Sequence, residues 1–201
     1  MLTLKFKMLK KISLALLLLA SCTAETPKYA GPNCLGLFCV DRRTSAHKLF
    51  KRLGQPMGKS SPYCYASPQE DTFLYVKTGD GSDPDLAVEV FISDFPNCLH
   101  MPRRVTADDL RAWKTPAGIG LGSLEENILK TYGKPSNKRR VDLTNARTTS
   151  HMISGYRPGD PIPKGADKAI FYTGDVSEDL RIVEFGIRNG KVSWIWLSMD
   201  E

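Results

Sequence analysis

The stretch "GIGLGSLEENILKTYGKP", residues Gly118 to Pro135, places three glycines at alternate positions directly before an apolar helical pattern. A phosphate-cradling loop can look similar, but a dinucleotide loop needs G-x-G-x-x-G after a strand of a parallel βαβ unit. Here Ser123 stands where the third glycine would be, and hairpin turns make the following strands antiparallel. The stretch therefore predicts glycine turns before a capped helix.

This helix has signals at both ends. Ser123 is the predicted N-cap, and Glu126 completes a capping box. Leu124, Ile128 and Tyr132 form the predicted buried stripe. Gly133 ends the helix, and Pro135 prevents its continuation. The earlier stretch "TSAHKLFKRLGQP", with Thr44 as predicted N-cap, repeats the pattern 79 residues upstream, so that Gly54 matches Gly133.

Extended runs follow each predicted helix. The first helix precedes "PYCYAS", "TFLYVK" and "LAVEVFIS", and the second precedes "KRRVDL", "KAIFYT", "LRIVEFGI" and "KVSWIWLSM". Asn189 and Gly190, between the last two runs, form a strong hairpin signal. The sequence therefore predicts an α+β fold of two tandem modules, residues 34–115 and 116–201, each a short helix followed by an antiparallel β-meander.

The stretch from Gly118 to Pro135 also resembles the signature of small exported domains with the fold of the β-lactamase inhibitor protein. This group includes the small lipoprotein of the outer-membrane barrel-assembly complex. The resemblance covers 18 residues. The first repeat keeps the cap and the Gly-x-Pro but has His47 in place of the capping-box glutamate. The resemblance implies tandem helix-plus-sheet modules whose sheet surface binds another protein, without identifying that partner.

The N-terminus carries an export signal. Four lysines precede the apolar run "ISLALLLLA", residues 12–20. At about 1.5 Å per residue this run is too short for a hydrocarbon core of about 30 Å, so residues 1–21 are predicted to be a signal peptide. "LASC" resembles the bacterial lipoprotein box, which implies lipidation of Cys22 and palmitate labelling. Met8 also begins a complete signal, so the start is left open between Met1 and Met8.

The resemblance to bacterial lipoproteins also implies the address, the periplasmic face of the outer membrane. Thr23 follows Cys22, whereas the usual inner-membrane retention signal of such lipoproteins at that position is Asp. Residues 22–33 are small, polar and rich in turn formers, which predicts a lipidated tether.

Removal of the signal peptide deletes four lysines and no acid, leaving 24 Lys and Arg against 22 Asp and Glu. The mature chain has no clustered basic stripe, so no nucleic-acid partner is predicted.

Four further cysteines remain: Cys34, Cys39, Cys64 and Cys98. An even number in an oxidising compartment predicts two disulfides. Three pairings are open, of which Cys34–Cys39 with Cys64–Cys98 is favoured. Their spacing does not suit zinc, and we expect neither a metal nor a cofactor.

No catalytic constellation stands out, so the chain is predicted not to be an enzyme. The three histidines, His47, His100 and His151, lie in no recognised catalytic spacing, and there is no G-x-S-x-G elbow. A small envelope hydrolase with a site near His151 or His100 is the alternative, and a purely structural envelope protein is another.

The last strand is apolar on both faces. Alternation places Val192, Trp194 and Trp196 on one face and Ile195, Leu197 and Met199 on the other. Trp194 and Trp196 are the candidates for a partner surface, with burial between the modules as the alternative. The long loop from Thr144 to Lys168 is either functional or disordered. The sequence thus predicts an envelope lipoprotein that acts as a protein-binding or inhibitor-like module.

Overall fold

The computed structural model describes residues 31–39, 44–55, 62–79, 84–96, 103–105, 110–140, 166–176 and 179–200. The predicted signal peptide, Cys22, and most of the loop from Thr144 to Lys168 lie outside these residues. The described helices are α1 (Ala46–Leu53) and α2 (Glu125–Tyr132), with a short 3-10 turn at Leu110–Ala112. The described strands are β1 (Cys34–Leu35), β2 (Phe38–Cys39), β3 (Tyr63–Ala66), β4 (Phe73–Thr78), β5 (Ala87–Ser93), β6 (Arg103–Arg104), β7 (Asn137–Arg140), β8 (Lys168–Val176), β9 (Asp179–Arg188) and β10 (Lys191–Asp200).

Strands β3 to β10 form one eight-stranded sheet in the order β6-β3-β4-β5-β10-β9-β8-β7. In this sheet order, every neighbouring pair between β3 and the edge strand β7 is antiparallel. The other edge strand, β6, is parallel to β3. Strands β1 and β2 form a separate two-stranded hairpin.

The predicted α+β fold of two tandem helix-plus-meander modules is wrong. Strands dominate the described residues, and β5 pairs with β10 from Ser93↔Trp194 to Glu89↔Ser198, which joins the strands of both halves into one sheet. Both strands are apolar on two faces, so leaving either as an open edge would expose apolar surface and unpaired backbone groups. Their pairing removes both edges from the two half-sheets.

One hydrophobic core lies on the sheet face that carries both helices and the hairpin. Leu49 and Leu53 of α1 and Ile128 and Tyr132 of α2 pack in the same cluster as inward residues of the sheet. Because this cluster contains residues from both sides of the predicted boundary at 115/116, the two halves share a core.

The opposite sheet face carries a second cluster, formed by Tyr75, Phe91, Ala169, Ile182, Trp194 and Trp196. A β-bulge between Val192 and Trp194 interrupts the alternation of β10. The extra residue, Ser193, moves Val192 to the helix-covered core, so its predicted place beside the tryptophans is wrong.

The helix ends differ from the predicted caps. Ser45, not Thr44, is the N-cap of α1, and its hydroxyl accepts from Lys48 N. Helix α2 begins after Leu124, without a side-chain cap, and the Ser123 hydroxyl accepts from Gly120 N instead. The cause is an extended segment before α2, in which Ser123 O accepts from Val192 N.

Two of the three predicted glycine turns are confirmed, whereas Gly120 pairs with Lys114 in an extended bridge. Gly118 and Gly122 have φ of 83° and 80°, values that glycine adopts without steric strain. Asn189 and Gly190 form the predicted tight hairpin, with φ of 52° and 74°. Within the described residues, no helix combines the length and the apolar character needed to span a membrane.

Candidate functional site

The cysteine predictions are met as far as the structure describes them. Cys34 and Cys39 form a disulfide, which confirms that pair. Cys64 is also disulfide-bonded, and its partner lies outside the described residues. Cys98 lies outside them as well, so the Cys64–Cys98 pair stays a prediction.

The predicted partner surface on Trp194 and Trp196 is not accessible in the structure. Their exposed fractions are 0% and 3%. Trp194 stacks on Phe91 with ring centroids 5.2 Å apart, and Trp196 Nε1 donates to Glu89 Oε1 at 2.9 Å. The alternative of burial fits both rings, so they belong to packing rather than to an exposed anchor.

The histidines form no site in the described part of the chain. His47 lies on the exposed side of α1, while His100 and His151 fall outside the described residues, as does the hydrolase site considered near them. Across the described ranges, no three His, Cys, Asp or Glu side chains gather closely enough to hold a metal ion.

A surface groove lies between the disulfide hairpin and helix α1. Its volume is about 290 Å³. The residues that line this groove are Leu37, Cys39, Thr44, Lys48, Leu49 and Arg52. We refer to it below as the hairpin groove.

The hairpin projects Leu37 outward because its neighbours point into the core. Leu35 and Phe38 are fully buried, whereas Leu37 at the turn is 38% exposed. Gly36 turns the chain with φ of 58° and lies so close to Trp113 that a Cβ atom would come 2.4 Å from Trp113 Cδ2. Its N–H donates to Lys114 O at 3.0 Å, which fixes the turn against the body of the protein.

Thr44, which lines the groove just before helix α1, is hydrogen-bonded to the hairpin and to the sheet. Its hydroxyl accepts from Cys39 N at 2.8 Å and donates to Cys39 O at 3.0 Å. Thr44 O in turn accepts from Ala87 N at 2.9 Å, at the start of β5. The groove is therefore held by a disulfide on one side and by the sheet on the other.

Asp85 fixes the beginning of α1. Its carboxylate accepts from Ser45 Oγ at 2.7 Å and from His47 N at 2.9 Å. The hydrogen bond from Ser45, followed by that from His47 N, lowers the pKa of Asp85. The helix that carries the groove's cations is thus anchored to the chain just before β5.

The groove combines an apolar floor with a cationic rim. Leu49 is buried and faces the core, while Lys48 and Arg52, one turn apart on α1, are exposed. No acidic side chain is among the described residues that line it. This arrangement suits an apolar group that carries negative charge beside it.

Sequence reasoning missed this groove, although two signals were present. Helix α1 contains His47, Lys48, Lys51 and Arg52 in eight residues and no acid. The short "CLGLFC" loop has three large apolar side chains, of which the core accommodates two. Which of the three remains exposed depends on the turn and could not be read from the sequence.

Two buried carboxyl groups on the second sheet face were also missed. Glu89 is 4% exposed and Glu184 is fully buried. Besides the Trp196 hydrogen bond, Glu89 has Lys77 Nζ at 3.9 Å. Burial raises the pKa of Glu89, and the Trp196 hydrogen bond and the Lys77 charge oppose that rise. The strand "LAVEVFIS" contains a single acid that looked like an ordinary outward residue.

Comparison with known proteins places the chain in no established family. No protein-family model and no curated protein matches it. Among solved structures, it is similar to a DUF4309 family protein (YjgB) from Bacillus subtilis, with 10% sequence identity, 78% of each chain covered and a TM-score of 0.37.

Proposed function

We propose that the protein is a lipid-anchored protein of the bacterial envelope, held through Cys22 at the periplasmic face of the outer membrane. On this proposal, its body binds another protein through the hairpin groove. The observation that carries the binding role is the groove itself, an exposed apolar depression with cations on its rim.

The export part of the proposal is supported by the cysteines. Cys34–Cys39 and the bridge at Cys64 are disulfides, which persist in oxidising compartments. The basic, apolar and small-residue segments before Cys22 stand in the order of a lipoprotein signal.

The binding part is supported by rigidity and exposure together. Leu37 and Leu124 are the large apolar side chains exposed among the described residues. Leu37 lies at the groove, on a turn fixed by a disulfide and by the Gly36 hydrogen bond. Such preorganisation lowers the entropic cost of docking.

The anchor is tested with Cys22→Ala, produced in bacteria labelled with palmitate. The variant should lose the label and appear as a soluble periplasmic protein, whereas Thr23→Ala, at the next position, should keep both label and membrane fractionation. A Cys22→Ala protein that still labels and sediments with membranes would refute lipidation at this residue.

The groove is tested with the matched variants Leu37→Ser and Leu124→Ser. We expect Leu37→Ser to lose a specific partner that copurifies from envelope extracts, and Leu124→Ser to retain it. Melting curves should show both variants folded, because both leucines are substantially exposed. Equal loss of the partner in both variants, or retention in both, contradicts a role for the groove.

A further inference from the structure

Resting on the proposed binding function of the hairpin groove, we infer that its occupant is an acidic segment of a partner protein, with an apolar side chain flanked by carboxylates. The charge, the apolar floor and the size of the groove support this occupant.

The charge comes from α1. Lys48 and Arg52 line the groove, and Lys51 is exposed on the same helix. Asp85, near the start of the helix, interacts with Lys48 through its negative charge, so one carboxylate stands against three cationic side chains of α1, Lys48, Lys51 and Arg52. The helix therefore presents an excess of positive charge, which a partner's carboxylates would complement.

The apolar floor of the groove favours an occupant that has an apolar side chain as well as negative charge. Leu37 and the Cys39 end of the disulfide provide surface that water solvates poorly, whereas Leu49, which also lines the groove, is only 1% exposed. An apolar side chain inserted beside Leu37 would remove that surface from water, at about 25 cal/mol per Å² of buried apolar area. A ligand with carboxylates alone would leave this apolar surface exposed to water.

The size limits the occupant to a projecting segment. A volume of about 290 Å³ lies at the lower end of the range for small-molecule pockets, about 300–1,000 Å³. That space accommodates one or two side chains. A loop or a terminus of the partner fits this limit, and the partner's folded body would remain outside the groove.

The test is calorimetric titration of the mature, lipidated protein in detergent with three short synthetic peptides. One carries Glu on both sides of a Leu, the second has Gln in place of Glu, and the third has Lys. We expect the acidic peptide to bind at least about tenfold more tightly than either counterpart. Affinity should fall from about 0.1 M to about 1 M salt, because the Debye length shrinks from about 10 Å to about 3 Å.

Charge-reversal variants show whether the groove carries this preference. Lys48→Glu should weaken binding of the acidic peptide by about tenfold or more, since a like charge then faces the carboxylates. Lys130→Glu is the matched control, because Lys130 is an exposed lysine on α2, away from the groove, and it should leave the affinity unchanged. Equal binding of the three peptides, or equal effects of the two variants, overturns the inference.

Other occupants give distinguishable results. Vesicles of phosphatidylcholine with phosphatidylglycerol test a lipid surface, and sedimentation velocity tests a second copy of the chain. The inference is overturned if the protein does not bind the acidic peptide but binds vesicles or self-associates in a way that depends on Lys48. A partner captured by the wild-type protein and lost with Leu37→Ser supports the proposed function. If that partner contacts the groove through a neutral or basic segment, the proposed function stands and the acidic occupant is wrong.

Discussion

The indole ring of Trp194 lies against bare backbone on the neighbouring strand. A Cβ atom at Gly186 would come 2.0 Å from Trp194 Cε2 and Nε1, so only glycine leaves room for the ring. The pair is in register between β9 and β10, at the residue where the bulge ends. Glycine in a strand is usually unfavourable, and here it is required by the ring above it.

Gly186→Ala should therefore destabilise the protein by about 1–3 kcal/mol, the usual cost of overpacking a core. The urea midpoint, converted with the measured m-value, gives this free energy of unfolding. In a Trp194→Phe background the same substitution should cost less, because the smaller ring leaves space. An equal cost in both backgrounds would show that the ring is not the obstacle.

Glu89 gives a pH dependence with a defined sign. Burial raises its pKa in the folded protein, whereas the unfolded chain titrates near the ordinary value of 4.5. As the pH rises above that value, the unfolded chain releases the proton first, so the contribution of Glu89 to stability falls up to the folded pKa. Below the unfolded pKa this contribution is fully present.

Glu89→Gln should remove this dependence and still accept the Trp196 hydrogen bond. The stability of the variant relative to the wild-type protein should therefore increase with pH from about pH 4 toward neutrality, as urea midpoints at several pH values would show. A difference that is the same at every pH would mean that the Glu89 carboxyl is not perturbed.

The start of α2 shows where local sequence rules give way to tertiary contacts. Ser123 followed by Glu126 is a capping-box pattern, yet residues 123 and 124 pair with the start of β10, at Leu124↔Lys191. The N-cap thus lies one residue later than predicted, at Leu124, whose side chain makes no cap hydrogen bond. The start of α1 shows the same displacement, because Ser45 pairs with Leu86 just before β5, and Ser45 rather than Thr44 provides the cap.

Leu124→Ser should be about 1 kcal/mol more stable than Leu124→Ala, because serine at the N-cap can accept from a backbone N–H of the first turn. Leu124 is 42% exposed, and both variants lose the apolar area that the leucine buries, so their difference isolates the cap. The measurement is the urea midpoint, with Leu124→Ala as the control that removes the leucine without adding a cap. A serine variant no more stable than the alanine variant contradicts the assigned N-cap.

Much of the fold could be predicted from local patterns, but its organisation could not. Strands β3 to β5 and β7 to β10, the Asn189–Gly190 turn and the ends of both helices lie near their predicted places, because turns and periodicity are local properties. Strands β1, β2 and β6 were not predicted. Pairing of β5 with β10 is between residues about one hundred positions apart, and no local signal specifies it. The hairpin groove was missed for the same reason, since Leu37 meets α1 only after folding.

The shared sheet and core predict that both halves unfold together. In the double variant Cys34→Ser/Cys39→Ser, loss of the six-residue loop should cost about 2 kcal/mol by the loop-closure estimate. Far-ultraviolet circular dichroism and tryptophan fluorescence should report one coincident transition, shifted as a whole. Two transitions, one of them unaffected by the variant, would instead indicate independent modules.

Photo-crosslinking in intact bacteria would test whether the hairpin groove is the binding surface. A photoreactive residue is placed singly at Leu37, at Leu124 and at Trp196. The account predicts a specific protein adduct from position 37, lost with Lys48→Glu, and none from exposed position 124 or buried position 196. An adduct from position 196 or 124 and none from position 37 would contradict the account and place the partner on another surface.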